Sequence, residues 1–109
     1  MEVSILGTRY KIEYRKDDSN MVGECDGYVD PSIKLIVVKD IEKEFNSVED
    51  IETYKKQVLR HEIIHAFLFE SGLWANTHSE SWATNEEMVD WIALQLPKIH
   101  RACVESGCM

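Results

Sequence analysis

The stretch QVLRHEIIHAFLFESG, residues 57–72, decides the fold assignment of this sequence. It contains the pattern H-E-x-x-H, formed by His61, Glu62 and His65. Residues four apart lie one above the other on a helix, so both imidazoles can face one metal ion. Glu62, one position further round the helix, can then reach a water bound to that ion. The pattern therefore predicts a metal site with His61 and His65 as ligands and Glu62 as the catalytic base.

The predicted helix extends beyond this motif in both directions. Ser47 and Asp50 have the spacing of a capping box, and Gly72 is suited to end a helix, so we expect a helix over about residues 48–71. An unsatisfied buried polar group costs about 1–3 kcal/mol, so two histidines on a buried stripe need partners. A shared metal ion is the favoured partner, and the alternative is a pair of hydrogen-bonded core histidines on an ordinary helix. One stripe of this helix combines apolar residues with both histidines: Tyr54, Val58, His61, His65, Leu68 and Phe69.

A second helix is expected over about residues 85–104. Thr84 and Glu87 repeat the capping-box spacing at its start. Pro97 is expected to stop or kink it, because proline removes a backbone donor and clashes with the preceding turn. Its apolar stripe consists of Val89, Ile92, Ala93 and Leu96.

A catalytic zinc site takes three protein ligands and keeps one position open, so a third ligand is needed. Glu86 follows His65 by 21 residues, and its helical angle places it at the border of the apolar stripe rather than in water. Glu87 points elsewhere and has the capping role, so Glu86 is the predicted ligand. His78, in the polar loop 76–81, is the alternative ligand, or a donor to the oxyanion that develops during hydrolysis.

Asp90 lies four residues after Glu86 and therefore on the same helical face. A carboxylate there can accept the second ring N–H of His61 or His65 and fix its tautomer, or it can remain a plain exposed acid. The sequence leaves both interpretations open.

Several aromatic residues are candidates for the surroundings of the site. Tyr28 is a possible oxyanion donor, and Tyr10 competes with it for that role. The three tryptophans are expected to be core or pocket lining: Trp74, Trp82 and Trp91.

The first forty residues have the pattern of β-structure, with strands expected over about residues 2–40. Tyr10, Ile12 and Tyr14 alternate with charged residues, as in a half-buried strand. Turn signals occur at residues 17–20 and 30–32, and Asp26-Gly27 is a hairpin dipeptide. Residues 33–38 are apolar and rich in β-branched residues, which makes them the strongest predicted strand. Strands followed by helices predict one α+β domain over residues 1–109.

Composition and charge exclude several classes of protein. The 109 residues are 44% hydrophobic and 29% charged, which is typical of a globular domain, and the formal net charge is −8. This charge disfavours nucleic acids and anionic membrane surfaces as partners. The sequence shows neither the pattern of a signal peptide nor that of a bilayer-spanning segment. The cysteines are an odd number, namely Cys25, Cys103 and Cys108. We therefore expect reduced thiols and a cytoplasmic location.

Two segments, HEIIHAFLFESGL and NEEMVDWIALQLP, resemble the ImmA/IrrE-type zinc metallopeptidases, especially the small versions encoded by phages and prophages. That family pairs H-E-x-x-H with a later helix bearing E-x-x-[AV]-[ND]-x-[FLI]-A. The resemblance covers about residues 59–97. It implies a zincin-like fold, in which a small twisted N-terminal β-sheet packs on the H-E-x-x-H helix and a C-terminal helix carries the third ligand. The family's second pattern is matched here by Glu86, Val89, Asp90, Ile92 and Ala93.

Two related metallopeptidase patterns fit less well. The metzincin pattern is excluded, because Leu68 and Ser71 stand where a glycine and a third histidine are required. The SprT-like pattern is the nearer rival and would take its third ligand from His78 or His100. Its basic, DNA-binding character is missing from this acidic chain.

The sequence thus predicts a gluzincin-like zinc metallopeptidase with one Zn²⁺ per chain, acting on a protein or peptide. An edge strand, predicted as residues 33–38, would hold an extended peptide by strand addition. The alternatives are a non-catalytic, zinc-stabilised binding module, an SprT-like protease with a histidine as third ligand, and an acidic phage protein that blocks a basic host surface.

Overall fold

Four strands followed by three helices make up the described part of the chain, which confirms the predicted α+β class. The computed structural model describes residues 1–16, 18, 25–41, 50–76 and 82–109. Within these ranges, no helix has the length and apolar character needed to cross a bilayer. The strands are β1 (Glu2–Ile5), β2 (Thr8–Arg15), β3 (Gly27–Asp30) and β4 (Leu35–Lys39). The helices are α1 (Ile51–Glu70), α2 (Leu73–Asn76) and α3 (Glu86–Ser106), with a 3₁₀ turn (Trp82–Thr84) before α3.

The four strands form one mixed sheet in the order β1-β2-β4-β3. β1 pairs with β2 and β3 pairs with β4 in antiparallel fashion, whereas β2 and β4 are parallel, with Ile12 opposite Ile36. β4 is therefore an inner strand. The prediction that residues 33–38 form the edge strand is wrong, because β3 occupies the edge beyond β4.

The burial of β4 explains its strong sequence signal. Leu35, Ile36, Val37 and Val38 are all buried, as expected for an inner strand that is covered on both faces. Ile33 is 64% exposed and lies in the turn at residues 31–34, so the strand begins two residues later than predicted.

The turns of the sheet differ in part from the expectation. The predicted turn at residues 30–32 belongs to the connection between β3 and β4, where the Asp30 carboxylate accepts the Ser32 backbone N–H at 3.1 Å. The predicted hairpin at Asp26-Gly27 is wrong, because Gly27 opens β3 and pairs with Val38. The predicted turn at residues 17–20 lies outside the described residues, apart from Asp18.

The core lies between the sheet and α1. The alternation in β2 is confirmed for Tyr10 and Ile12, which are buried, but Tyr14 at its end is exposed. Half-buried apolar side chains of α1 pack against this core, namely Val58, Leu59 and Ile63. The buried cluster itself consists of Ile5, Tyr10, Ile12, Ile36, Val38 and Ala66.

Glu70 attaches the C-terminal end of α1 to the sheet. Its carboxylate accepts hydrogen bonds from Tyr10 Oη at 2.7 Å, Lys34 Nζ at 2.7 Å and Thr8 Oγ1 at 3.2 Å. The hydrogen bonds from Lys34 and then Tyr10 hold the pKa of Glu70 below its usual range. Burial and then the Glu70 carboxylate raise the pKa of Tyr10. The network fixes the register of α1 along the sheet.

The ends of α1 correct one prediction and confirm another. Its N-cap is Asp50, whose carboxylate accepts the Thr53 backbone N–H at 3.1 Å, so the helix begins at Ile51 and not near residue 48. Ser47, the predicted cap, lies outside the described residues. At the other end Gly72 follows the last turn with a φ of 86°, a left-handed conformation that favours glycine.

The N-cap of helix α3 lies one residue later than predicted, and the helix continues past its proline. Asn85 is the N-cap and accepts the Met88 backbone N–H at 2.7 Å, so the capping box based on Thr84 is wrong. Pro97 has no N–H to offer the carbonyl of Ala93, yet α3 runs on to Ser106. The Ala93 carbonyl is satisfied from α1 instead, where Arg60 Nε donates to it at 2.7 Å. The same hydrogen bond joins the two helices that carry the candidate site.

Candidate metal centre

The two histidines of the H-E-x-x-H motif face each other on α1. The four-residue spacing brings their Nε2 atoms to 3.1 Å and their ring centroids to 4.8 Å, with the rings edge to face. Both side chains are largely buried, His65 more so than His61. The pair therefore presents two nitrogen atoms toward one point at the surface of α1.

Glu86, the first residue of α3, completes this arrangement. Its Oε2 lies 2.9 Å from His61 Nε2 and its Oε1 lies 2.8 Å from His65 Nε2. The three side chains bring their potential ligand atoms within 4.8 Å of one another. The side chain of Glu86 is 73% exposed, so the expectation that it avoids water is wrong although its proximity to the histidines is observed. Glu87 is exposed and takes no part in the cluster.

Asp90 approaches His61 from one turn further along α3. Its Oδ1 lies 3.1 Å from His61 Nδ1, and its side chain is 65% exposed. A carboxylate in this position favours the tautomer in which Nδ1 carries the proton. The Nε2 lone pair of His61 then points toward the Glu86 carboxylate, which is also an acceptor.

This donor set fits a divalent metal ion. Two acceptors cannot face each other at 2.9 Å without a cation between them, and only a proton or a metal ion can supply it here. Two imidazole nitrogens and one carboxylate are the ligand types of a catalytic zinc site with three protein ligands.

Glu62 lies beside the cluster in a buried position. Its side chain is 8% exposed, and its Oε1 lies 3.9 Å from His61 Nε2. Burial raises the pKa of Glu62 to about 7, against the lowering effect of His61. A carboxyl group with a pKa near neutrality is suited to accept and return a proton at physiological pH.

Gly27 allows α1 to lie this close to the edge strand. A Cβ atom at Gly27 would lie 2.9 Å from the Val37 carbonyl oxygen, 3.0 Å from Val58 Cγ1 and 3.4 Å from Glu62 Cγ. The absence of a side chain at this position therefore sets the distance between β3 and Glu62.

His65 is held in a drier environment than His61. Burial lowers its pKa, which favours the neutral ring that a metal ligand requires. Its Nδ1 is buried and has no hydrogen-bond partner among residues 1–16, 18, 25–41, 50–76 and 82–109. Trp74 packs edge to face against it, with ring centroids 6.3 Å apart.

Two cavities adjoin the cluster. Both are lined by Cys25, Gly27, Glu62 and Glu86. The acidic cavity has a volume of about 280 Å³, and its further lining includes Asp26, Tyr54, Gln57, Val58, His61 and Asp90. The aromatic cavity has a volume of about 370 Å³, and its further lining includes Tyr28, Val29, His65, Trp74 and Thr84. The cluster thus stands between two openings of different chemical character.

The remaining predicted site residues are placed differently. His78 lies outside the described residues. Tyr28 lines the aromatic cavity, but its hydroxyl donates to Asp18 at 2.8 Å. Tyr10 lies in the core and donates to Glu70, so an oxyanion role for it is wrong. His100 is exposed on the second half of α3.

The tryptophans divide into two groups. Trp74 lines the aromatic cavity, as expected. Trp82 and Trp91 are exposed, so the prediction that they are core or pocket lining is wrong for both.

Among the lining residues that sequence reasoning missed as parts of the site are Asp26, Tyr54 and Cys25. Tyr54 lies on the stripe of α1 that carries both histidines, which was a usable signal. Asp26 and Cys25 precede the edge strand, and only the tertiary pairing of β3 with β4 brings them to α1. The local sequence around Asp26 indicated a turn and gave no sign of this placement.

Comparison with known proteins adds no relative: no family model, no curated protein and no solved structure matches this chain. The functional interpretation therefore depends on the geometry of the cluster formed by His61, His65, Glu86, Glu62 and Asp90.

Proposed function

We propose that this chain is a zinc-dependent metallopeptidase with His61, His65 and Glu86 as metal ligands. One observation carries the proposal: two histidine nitrogens and the Glu86 carboxylate converge within 4.8 Å, with a buried glutamate beside them. The converging residues come from two helices, and Glu86 follows His65 by 21 positions in the sequence. A pair of core histidines would not require an exposed carboxylate on a second helix to face both rings.

The resemblance to the ImmA/IrrE-type metallopeptidases supports the same ligand set. Its second pattern assigns the third ligand to Glu86, and Asp90 occupies the [ND] position of the same pattern. The proposed fold is accordingly zincin-like, with the four-stranded sheet packed on α1 and the ligand-bearing α3 closing the site.

The proposed reaction is hydrolysis of a peptide bond. A zinc ion bound by these ligands would supply Lewis acidity toward the scissile carbonyl and toward water. Glu62 takes the proton from the attacking water and delivers it to the leaving amine, for which its raised pKa is suited. Asp90 orients His61 through Nδ1, and the buried surroundings of His65 keep that ring neutral.

The edge strand β3 offers a binding site for an extended peptide. Asp26 O accepts the Lys39 N–H at 2.7 Å, so the alternation of an antiparallel ladder turns the backbone groups of Gly27 and Val29 away from β4. Cys25 Sγ donates to the outward carbonyl of Gly27 at 2.6 Å. A peptide that pairs with these groups would pass Glu62 with one side chain facing the aromatic cavity. Large apolar side chains fit its lining of Tyr28, Val29 and Trp74.

Metal stoichiometry tests the ligand set. We expect one zinc per wild-type chain, and we expect Glu86→Ala to lose it while Glu87→Ala, the same change one residue further on, retains it. Loss with His78→Ala and retention with Glu86→Ala would move the protein to a three-histidine class. Absence of zinc from the wild type, after zinc has been offered, would contradict the proposal.

Turnover tests the role of Glu62. Glu62→Gln keeps the size and polarity of the side chain but removes its capacity to accept a proton. We expect this variant to bind zinc as the wild type does and to lose peptide cleavage in a mass-spectrometric assay on mixed peptides. Equal cleavage by both proteins would refute the mechanism, and zinc binding without cleavage by the wild type would assign a binding module.

A further inference from the structure

We infer that α3 pairs with α3 of a second copy of this chain, in antiparallel orientation and through the side that faces away from α1. The inference goes beyond the proposed peptidase function and does not depend on it. It rests on four exposed side chains of α3 that we name the outer stripe: Glu87, Trp91, Leu94 and Lys98.

The outer stripe lies opposite the buried side of α3. Val89 and Ala93 mark that buried side, and the Ala93 carbonyl there accepts the hydrogen bond from Arg60 of α1. A helix turns by about 100° per residue, so Trp91 lies about 160° round the helix from both buried residues. The members of the outer stripe follow one another at intervals of four, three and four residues, which keeps them on one side of a helix. The outer stripe therefore faces away from α1 as a continuous strip.

Two large apolar side chains form the centre of the outer stripe. Trp91 is 58% exposed and Leu94 is 48% exposed. Because they are three residues apart on a helix, their side chains are neighbours and form one patch. Exposed apolar patches with a polar rim are typical of interaction sites, and tryptophan is enriched among the residues that contribute most to binding. The patch is therefore suited to a partner that brings apolar side chains of its own.

Opposite charges flank this apolar patch at equal distances. Glu87 lies four residues before Trp91, and Lys98 lies four residues after Leu94. Both charged side chains are exposed, and neither has an ion-pair partner within the parts of the chain that the structure describes. The outer stripe is therefore symmetric in position about the point between residues 92 and 93, and opposite in charge at its two ends.

A second copy of α3 in antiparallel orientation is complementary to this arrangement. With a two-fold axis between residues 92 and 93, Trp91 of each copy faces Leu94 of the other. Glu87 of each copy likewise faces Lys98 of the other, so every contact occurs twice, as in an isologous dimer. A parallel pair would instead place Glu87 against Glu87 and Lys98 against Lys98. The charges therefore favour the antiparallel orientation.

The expected dimer is weak. Each copy contributes two large apolar side chains, and complexes that bury less than about 1,200 Å² are typically weak and transient. We therefore expect monomer and dimer in equilibrium, with a dimer fraction that rises with protein concentration. Sedimentation velocity of the full chain over a range of concentrations measures this equilibrium.

The matched variants for the apolar patch are Leu94→Ala and Leu96→Ala. The two leucines are 48% and 43% exposed, but they lie about 160° apart round the helix. Alanine is a strong helix former, so α3 is retained in both variants. We expect Leu94→Ala to weaken the dimer about tenfold, because each dimer loses two buried leucine side chains, and Leu96→Ala to leave it unchanged. Equal weakening by the two variants would overturn the inference.

Charge reversal tests the antiparallel orientation. Glu87→Lys and Lys98→Glu each place like charges opposite each other twice, so we expect each to weaken the dimer about tenfold. The double variant exchanges both charges, keeps the net charge of −8 and should restore the wild-type dimer. Circular dichroism checks the fold. The leucine pair tests the inference independently if Glu87→Lys, at the positive end of the α3 dipole, does not fold.

Three other outcomes would overturn the inference. A chain that stays monomeric at every concentration would leave a different protein as the occupant of the outer stripe. If the overall charge governs association, Glu87→Lys strengthens the dimer and Lys98→Glu weakens it, because they change the net charge in opposite directions. A parallel pair or another interface would leave the affinities of the single and double variants close to that of the wild type. None of these measurements depends on zinc binding or on peptide cleavage.

Discussion

Replacing Gly27 by alanine tests the close approach of α1 to the edge strand. Gly27 is not among the residues with a positive φ, so alanine can adopt its backbone conformation and the added methyl group is the only obstacle. That methyl group would lie 2.9 Å from the Val37 carbonyl oxygen and 3.0 Å from Val58 Cγ1. The first contact is with the backbone of the inner strand β4, which cannot rotate away.

The size of the effect follows from these two distances. Ordinary van der Waals contact begins near 3.4 Å, so position 27 must move away from both β4 and α1 by a few tenths of an ångström. Overpacking of this kind costs about 1–3 kcal/mol. For a domain of about 100 residues, each kcal/mol lowers Tm by about 4–8 °C. Because the third neighbour of the methyl group is Glu62 Cγ, the proposed peptidase activity should also fall by more than the loss of stability explains.

Thermal and urea unfolding, together with a double-mutant cycle, measure the contribution of the contact. Val58→Ala removes Cγ1 and costs stability by itself, but it also relieves one of the two close contacts. We therefore expect the Gly27→Ala/Val58→Ala chain to lose less stability than the sum of the single changes, by about 0.5 kcal/mol or more. If Gly27→Ala unfolds at the wild-type temperature, the packing of α1 on β3 described above is wrong.

Two further predictions concern Asp90 and Glu70. Asp90→Ala should still bind zinc, but about 10–100-fold more weakly, because loss of the carboxylate partner of a ligating histidine has an effect of that size. Competition with a chelator measures the zinc affinity. An unchanged affinity would mean that Asp90 is a plain surface acid. The pKa of Glu70 is lowered in the folded chain by Lys34 and then Tyr10, so its contribution to stability is present above the unfolded value of about 4.3 and is lost as pH falls through the folded value. Urea midpoints at about pH 6 and pH 3 should therefore converge for wild type and Glu70→Gln at the lower pH, whereas a constant difference would refute this linkage.

Sequence periodicity predicted the strands and helices that bury either one face or both faces. The alternation around Tyr10 and Ile12 and the apolar run before Val38 both correspond to strands, and the motif helix and its successor are present. The helix starts were displaced because more than one residue near each start can cap a helix. Asp50 and Asn85 accept the decisive backbone N–H groups, and only the path of the preceding chain selects them.

The position of β4 inside the sheet could not be read from its sequence. An apolar run fits an inner strand of a parallel pair as well as a buried edge, and long-range pairing with β2 decides between them. In the order β1-β2-β4-β3, the edge position expected for β4 is occupied by β3. This exchange also explains why Asp26 was missed, since it reaches the site only as the residue that precedes β3.

The site itself was more accessible to sequence reasoning than the sheet. Helical geometry fixes the relation of His61 to His65 and of Glu86 to Asp90, so each pair could be placed on one face in advance. The mutual position of the two helices is a tertiary property. It brings the Glu86 side chain to both histidines, although the burial predicted for Glu86 from its helical angle is not observed.

The hydrogen bond from Arg60 to the Ala93 carbonyl has a consequence for recognising relatives of this chain. Pro97 creates the acceptor by lacking an N–H, and the residue directly before His61 supplies the donor. Without Pro97, the Ala93 carbonyl would bond within the helix and Arg60 would lose this partner. Without Arg60, the Ala93 carbonyl would lack this donor. Homologous sequences should therefore vary the two positions together, as arginine with proline or as neither. Such paired variation, added to the short H-E-x-x-H pattern, would provide a more selective signature for chains that share this pairing of helices.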